Sequence, residues 1–413
     1  MKAFNLFYIL LSIIWQPFQI YVLKVDGAGR TIMLLSILAV FLNLTSFWRY
    51  RKIVFTSAFK CWVLLILYSM LNVLYKGFYY EDGTFAFLRN NFLDSFVLLL
   101  IILLELNRDK YSCLKLIWAA LGLYLLVGLP HFSTGLWAYR FEVEGIGNLY
   151  PLHAVCLLFV SAVLCVEDKM KRVSFVLLTI GVSVIILLSG TRKAFGVEAI
   201  LLVGVILNKG KKRKFIEWLR LGVLAATLAV GVYFVLDNTY LGHRILQEPN
   251  EKQYVQLVEN NTVNDILMML LGDRAVQYEE AIRLSHDFFW TGIGLTNYMD
   301  VSKGTYRLHS EYMVQLCENG IIGFAMLMLF YTILLLALVR TWRKTAKKNA
   351  VSMALFGLVA LLFLNLTCWT YNQNYVMVFY GILLMYACFD EKTDRMGTIA
   401  YENSDTSSQG QLQ

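Results

Sequence analysis

The residues best suited to chemistry are basic side chains at the ends of long apolar runs. Arg192 and Lys193 lie in the motif SGTRKAF, and Arg274 lies in GDR. A cation at a membrane boundary is costly without a partner or a water-filled cavity, so it indicates a functional site. The planar guanidinium group of arginine fits phosphate oxygens with two hydrogen bonds. Arg192 and Arg274 are therefore predicted to clamp a diphosphate, with Lys193 as a further substrate-binding cation.

Each of these residues also has a plainer interpretation. Arg192 and Lys193 are long enough to snorkel to lipid headgroups. Arg274 could be a solvated loop residue paired with Asp273 or Glu280. Glu198, six residues after Arg192, either balances the charge of the cations or makes a hydrogen bond between helices.

A histidine follows a predicted turn later in the chain. Gly292, Gly294 and Asn297 predict the turn, and His309 stands at the start of an apolar run. The next two residues, Ser and Glu, suit the first turn of a helix, which leaves the imidazole at the boundary between loop and membrane. Histidine commonly transfers protons near neutral pH. His309 is therefore predicted to be catalytic, with a structural histidine as the alternative.

The composition is that of a polytopic membrane protein. Of 413 residues, 58% are hydrophobic and 16% are charged, which leaves too little polar surface for a soluble globule. The net charge of +8 does not indicate nucleic-acid binding, because Lys and Arg fall in short clusters between apolar runs. The seven cysteines lack metal-ligand spacing. No metal site and no cofactor are predicted.

Twelve apolar runs are long enough to cross a hydrocarbon core of about 30 Å, and the predicted fold class is all-α. The runs lie near residues 3–23, 31–48, 59–75, 90–106, 113–130, 149–166, 173–189, 194–208, 218–236, 311–339, 351–368 and 372–389. Residues 1–390 are predicted to form the transmembrane helical domain, including a large extracytoplasmic loop at 237–310 between spans 9 and 10. Residues 391–413 are predicted to be a disordered cytoplasmic tail.

The distribution of Lys and Arg predicts the orientation. Basic residues concentrate in the short segments on one side of the predicted spans, which places both termini in the cytoplasm. The long loop then faces outward. Helical apolar spacing is found in it at Lys252 to Leu271 and at Arg274 to Leu284.

Taken in order, these motifs resemble the O-antigen ligase and Wzy-type polysaccharide polymerase family. The set comprises SGTRKAF, GDR about 80 residues later, GIGLTN, HSEYM and ENGIIG. It covers roughly residues 187–330, and the arrangement of about twelve spans with a late outer loop is also similar.

The resemblance implies a metal-independent glycan transferase of the bacterial cytoplasmic (inner) membrane, with its active site facing outward. Its donor would be an undecaprenyl-diphosphate-linked glycan. Arg192 and Arg274 would neutralise charge on the leaving diphosphate, and His309 would orient or deprotonate the hydroxyl of a glycan acceptor. The implied partners are donor, acceptor and lipid bilayer, and a flippase and a chain-length regulator are further candidates.

Three functions fit these observations. A polymerase that joins lipid-linked repeat units into capsular, exopolysaccharide or O-antigen chains is the main expectation. An O-antigen ligase or O-oligosaccharyltransferase, which moves the glycan to a lipid or protein acceptor, is the alternative. A lipid-linked glycan transporter is disfavoured, because the charges gather at one outer mouth rather than on broken helices near the membrane midplane.

Overall fold

A computed structural model describes residues 1–24, 29–51, 55–76, 94–134, 141–147, 149–209, 274–295, 297–302, 308–368 and 373–388. In chain order its α-helices are α1 (Lys2–Pro17), α2 (Gly29–Arg49), α3 (Ser57–Lys76), α4 (Asp94–Arg108), α5 (Lys110–Gly128), α6 (Leu149–Val166), α7 (Arg172–Ser189), α8 (Arg192–Lys209), α9 (Arg274–Asp287), α10 (Tyr298–Val301), α11 (Glu311–Glu318), α12 (Gly320–Lys344), α13 (Lys348–Asn365) and α14 (Asn374–Ala387). A π-helical segment, Phe18–Leu23, extends α1. Strands β1 (Phe132–Thr134) and β2 (Phe141–Val143) form one antiparallel hairpin.

The predicted polytopic helical membrane fold is confirmed. Within the described residues, eight helices are long and apolar enough to cross a membrane. Without water, backbone polar groups must be satisfied within the segment, so an apolar run of this length folds as a helix. Helices α4, α8 and α14 also coincide with predicted spans. The ninth predicted span, near 218–236, lies outside the described residues, and the total of twelve stays a prediction.

The centre of the bundle is built from helices that are apolar all round. Every residue of α6 from Tyr150 to Val166 is buried, as expected for a helix without a polar face. Small residues allow close helix contacts: a Cβ on Gly357 of α13 would lie 2.4 Å from the Phe159 ring of α6. By contrast, α7 exposes apolar side chains such as Leu177 and Ile180, as expected for a membrane helix at the edge of the bundle.

Residues predicted to lie on the two sides of the membrane are found at opposite ends of the bundle. At one end, Lys2 bonds to Asp109 at 2.9 Å and Lys110 forms an ion pair with Glu167. All four belong to segments predicted to be cytoplasmic. At the other end, the amide of Asn72 reaches the carbonyl of Thr291 at 2.9 Å. Which end faces the cytoplasm stays a prediction.

Reporter fusions test that orientation. Fusions after Lys214 and Lys347 are expected to be cytoplasmic, and one after Asn260 is expected to be extracytoplasmic, because basic residues are retained inside. Alkaline phosphatase and green fluorescent protein report the two sides with opposite signals. Phosphatase activity at Lys347 would reverse the whole assignment.

Two predictions for the long loop have different outcomes. The helix expected at Arg274 to Leu284 is confirmed as α9. The helix expected at Lys252 to Leu271 lies outside the described residues, as does the predicted tail at 391–413.

The prediction of the tenth span as one continuous helix near 311–339 is wrong, because α11 and α12 are separated at Asn319.

Candidate active site

The C-terminal end of α13 is the place where the candidate residues converge. The Tyr278 hydroxyl of α9 donates to the Leu366 carbonyl at 2.8 Å. Ser310 donates through Oγ to the Asn365 carbonyl at 3.2 Å, and the Glu311 N–H donates to the Cys368 carbonyl at 3.0 Å. Helix α9 and the start of α11 are therefore both fixed to residues 365–368.

Helix α8 reaches the same place by packing antiparallel to α13. A Cβ on Gly196 would lie 2.4 Å from the Phe363 ring, and one on Gly204 would lie 2.8 Å from the Phe356 ring. These two glycines let the helices approach closely. Early residues of α8 therefore lie beside late residues of α13. Because Arg192 precedes Gly196 by one turn, this register brings it level with residues 366–368.

The break between α7 and α8 lies between the predicted spans at 173–189 and 194–208. Gly190 ends α7 in the left-handed region with φ +60°, and its N–H donates to the Leu187 carbonyl at 3.1 Å. The Thr191 carbonyl then accepts from the Ala194 N–H at 3.0 Å as α8 begins. Arg192 and Lys193 are thus the first two residues of α8, and Lys193 is half-buried.

The structure brings the backbones of the three predicted catalytic residues to one region. Arg192 begins α8, Arg274 lies one turn before Tyr278 on α9, and His309 directly precedes Ser310. His309 is half-buried. For Arg192 and Arg274 the structure describes the backbone, so the diphosphate clamp stays a proposal. Two helix N-termini, those of α8 and α11, add partial positive charge at this place.

The predicted cap of the helix after His309 is confirmed. Ser310 is the N-cap of α11, and its Oγ accepts from the Met313 N–H at 3.5 Å. Glu311 lies in the first turn, where a carboxylate is favoured by the helix dipole. Both residues are buried, which fixes the chain on the C-terminal side of the histidine.

The alternative interpretations of two residues can be compared with the structure. Both carboxylate oxygens of Glu280 accept from Arg283, at 2.8 and 2.6 Å, and this guanidinium holds the pKa of Glu280 below its usual value. The carboxylate of Glu280 therefore pairs with Arg283. Asp273, the other partner considered for Arg274, lies outside the described residues. Glu198 accepts a hydrogen bond from Ser183 of α7, which is the interhelical bond given as one alternative for it.

The glycine turn explains why the tenth predicted span is broken. The Ile293 N–H donates to the Cys317 carbonyl at 3.0 Å and the Gly294 N–H to the Glu318 carbonyl at 2.8 Å. The Ile321 N–H donates to the Phe289 carbonyl at 2.8 Å. The turn thus satisfies backbone groups that a continuous helix would have paired internally.

Glycine is required on both sides of this contact. Gly292 and Gly320 have φ of +68° and +67°, and Gly294 has φ +95°. A Cβ on Gly292 would lie 2.4 Å from the backbone of Glu318, and one on Gly320 would lie 2.4 Å from the Trp290 carbonyl oxygen. The turn and the helix break therefore pack backbone against backbone.

Replacing Gly320 with alanine is expected to destabilise the protein. A left-handed backbone costs an L-residue roughly 1–2 kcal/mol, and the clash with Trp290 adds to that cost. The apparent melting temperature in detergent measures the effect. Gly181→Ala is the matched control, because a Cβ at this helical glycine meets nothing within 4 Å. Equal melting temperatures for the two variants would contradict the assigned packing.

Helix α3 contributes polar residues that the sequence analysis did not identify. The Asn72 side-chain amide donates to the Thr291 carbonyl at 2.9 Å, the Glu318 carbonyl at 3.2 Å and Asn319 Oδ1 at 3.0 Å. Asn72 is 4% exposed. An asparagine within an apolar span was the available signal, since a buried amide needs partners.

Comparison with known proteins gives a family match that includes the candidate residues. A model of the O-antigen ligase family matches residues 174–328, which contain Arg192, Lys193, Arg274 and His309. No curated protein matches the chain. The match supports glycan transfer of the O-antigen ligase type. The family resemblance is therefore confirmed, and residues 174–328 of this membrane protein are the part that is similar to the O-antigen ligase family.

Proposed function

We propose that the protein transfers a glycan from an undecaprenyl-diphosphate-linked donor to an acceptor hydroxyl, in the manner of an O-antigen ligase. The observation that carries this proposal is the convergence of α8, α9 and the start of α11 on the end of α13. The three converging segments lie within the residues that the family matches. Two arginines and one histidine lie on the converging segments.

The leaving diphosphate is the first requirement of the reaction. The acceptor oxygen attacks the anomeric carbon, the bond from that carbon to the diphosphate oxygen breaks, and the electron pair stays on the diphosphate. Arg192 and Arg274 neutralise the growing negative charge. Preorganised donors of this kind contribute several kcal/mol, and the dipoles of α8 and α11 act in the same sense.

The acceptor proton is the second requirement. His309 follows the outer loop and is fixed by the capped start of α11, so its imidazole can face an acceptor in water. As a general base it takes the hydroxyl proton, which contributes about 10²- to 10⁴-fold to the rate.

The location of the site follows from the same assignment. The end of α13 is predicted to lie on the outer side of the bacterial cytoplasmic membrane. The diphosphate of a lipid-linked donor lies at headgroup level, at the depth where the apolar helices α8 and α13 meet the loop. The bilayer holds the lipid tail, and a flippase would deliver the donor to this face.

The choice between ligase and polymerase depends on the acceptor. The sequence favoured polymerisation, with a chain-length regulator as a partner, whereas the family description supports the ligase alternative. Both reactions use the same donor and the same displacement. A ligase requires a separate lipid or protein acceptor, and a polymerase uses a second lipid-linked repeat unit.

Purified protein reconstituted in liposomes provides the test. Lipid-linked glycan is supplied with EDTA, either alone or with a lipid-core acceptor, and products are separated by gel and mass spectrometry. Transfer that requires the added acceptor is expected for the ligase. A ladder formed from the donor alone would establish the polymerase instead. Absence of product in both mixtures, from folded protein, would overturn the proposal.

A further inference from the structure

We propose that a buried chain of side-chain amides, running from α3 to the start of α11, positions His309 for proton transfer. This inference rests on the proposed function. It concerns residues of α3, which lies outside the segment matched by the family at 174–328.

The chain consists of three consecutive hydrogen bonds with the same direction. Asn72 donates through Nδ2 to Asn319 Oδ1 at 3.0 Å, and Asn319 Nδ2 donates to Gln315 Oε1 at 2.8 Å. Gln315 Nε2 then donates to Glu311 Oε1 at 2.9 Å. Asn319, Gln315 and Glu311 have no exposed surface, and Asn72 is 4% exposed.

A chain of this kind has a defined geometry because each link depends on the next. A buried amide without a partner costs free energy, and Asn319 and Gln315 each use both their side-chain N–H donor and their carbonyl oxygen in the chain. Hydrogen bonds in a series also polarise one another. A shift at Asn72 therefore reaches Glu311.

Helix α3 holds the helix break at three positions on one of its faces. Besides the contacts of Asn72, the Tyr68 hydroxyl donates to the Asn319 carbonyl at 2.9 Å. Asn319 Nδ2 also donates to Ser69 Oγ at 3.0 Å. Residues 68, 69 and 72 lie on one side of a helix, so α3 acts as a rigid support for the break.

The far end of the chain lies beside the catalytic candidate. Glu311 is two residues after His309, and its N–H donates to the Cys368 carbonyl at 3.0 Å. The start of α11 is thus fixed by α13 through its backbone and by α3 through the amide chain. Rotation of α11 would move His309 relative to the arginines on α8 and α9.

Kinetics of Asn72→Ala test the positioning role. A misplacement of about 1 Å can cost about 100-fold in rate, so we expect kcat to fall by about 10- to 100-fold while KM for the lipid-linked donor changes little. Asn107→Ala is the matched control. Its amide bonds at 2.7 Å to the Leu103 carbonyl of its own helix and also lies outside the matched segment, and its kcat should stay at the wild-type value.

A double-mutant cycle separates positioning from general damage. If Asn72 acts through His309, Asn72→Ala should cause no further loss in a His309→Ala background. Equal fractional losses in both backgrounds would overturn the inference. Full activity of His309→Ala would also overturn the inference, because no histidine role would remain to be positioned. Folded wild-type protein that forms no product would contradict the proposed function instead, so the two failures are distinguishable.

A second variant protects the test against loss of folding. Gln315→Met keeps the side-chain length but interrupts the chain within α11, and it should reproduce the kinetic effect of Asn72→Ala. Size-exclusion profile and melting temperature identify folded samples. If neither variant yields folded protein, the chain is a folding requirement and the positioning role is wrong.

Discussion

Replacing Arg192 or Arg274 with alanine is expected to abolish detectable glycan transfer and to leave the protein folded. Each guanidinium neutralises charge that forms on the diphosphate only as the glycosidic bond breaks, and loss of one such donor typically costs about 10²- to 10³-fold in kcat. Arg192 begins α8, and Arg274 is the first described residue of α9. Initial rates in the reconstituted assay, normalised to folded protein, measure the effect.

Two further variants give this prediction its control and its counter-test. Arg192→Lys should recover little activity, because an ammonium group cannot make the two parallel hydrogen bonds of a guanidinium. Arg283→Ala should retain activity, since Arg283 lies on the same helix as Arg274 but pairs with Glu280 on the surface. Near-wild-type transfer by Arg192→Lys would indicate general positive charge or snorkelling to headgroups rather than a clamp.

The helices of the bundle could be predicted from the sequence because the bilayer allows few alternatives. An apolar run must satisfy its own backbone hydrogen bonds, so Leu149–Val166 can only be a helix in lipid. Gly190, Ser310 and the 292–294 turn were also predictable. Each is a local signal, a glycine in the left-handed region or a capping hydroxyl, that depends on few neighbours.

The break at Asn319 could not be predicted from hydropathy. The run from Glu311 to Val339 is continuous, and the break exists because a turn some 25 residues earlier supplies partners for its backbone. The dipeptide Asn319-Gly320 is a turn signal that hydropathy outweighed in the prediction. The left-handed φ of Gly320 is the local feature that this dipeptide provides.

The convergence of the site also depends on contacts that are distant in sequence. Asn72 and Asn319 are 247 residues apart, and one apolar span with a single asparagine resembles any other. Gly196 lies one turn after Arg192, and its contact with Phe363, like that of Gly204 with Phe356, shows which helix α8 packs against. The residue types predict the candidate chemistry, whereas the fold is needed to show which helices and side chains contact one another.

His309→Ala is expected to slow transfer strongly while donor binding is retained. The histidine contacts the acceptor in the proposed reaction, whereas donor affinity comes from the arginines and the apolar surface around the lipid tail. A loss of about 10²- to 10⁴-fold in kcat is expected for removal of a general base. Binding of labelled lipid-linked glycan to the variant, measured beside its turnover, separates the two steps.

The pH profile distinguishes a general base from a positional histidine. A base must be neutral to accept the hydroxyl proton, so wild-type transfer should fall as the pH drops and the imidazole becomes protonated. His286→Ala is the control, since this side chain on α9 is 92% exposed and lies 3.9 Å from Asp287. The control should keep both rate and profile. A flat wild-type profile would leave His309 a positional role, and full transfer by His309→Ala would remove it from the mechanism.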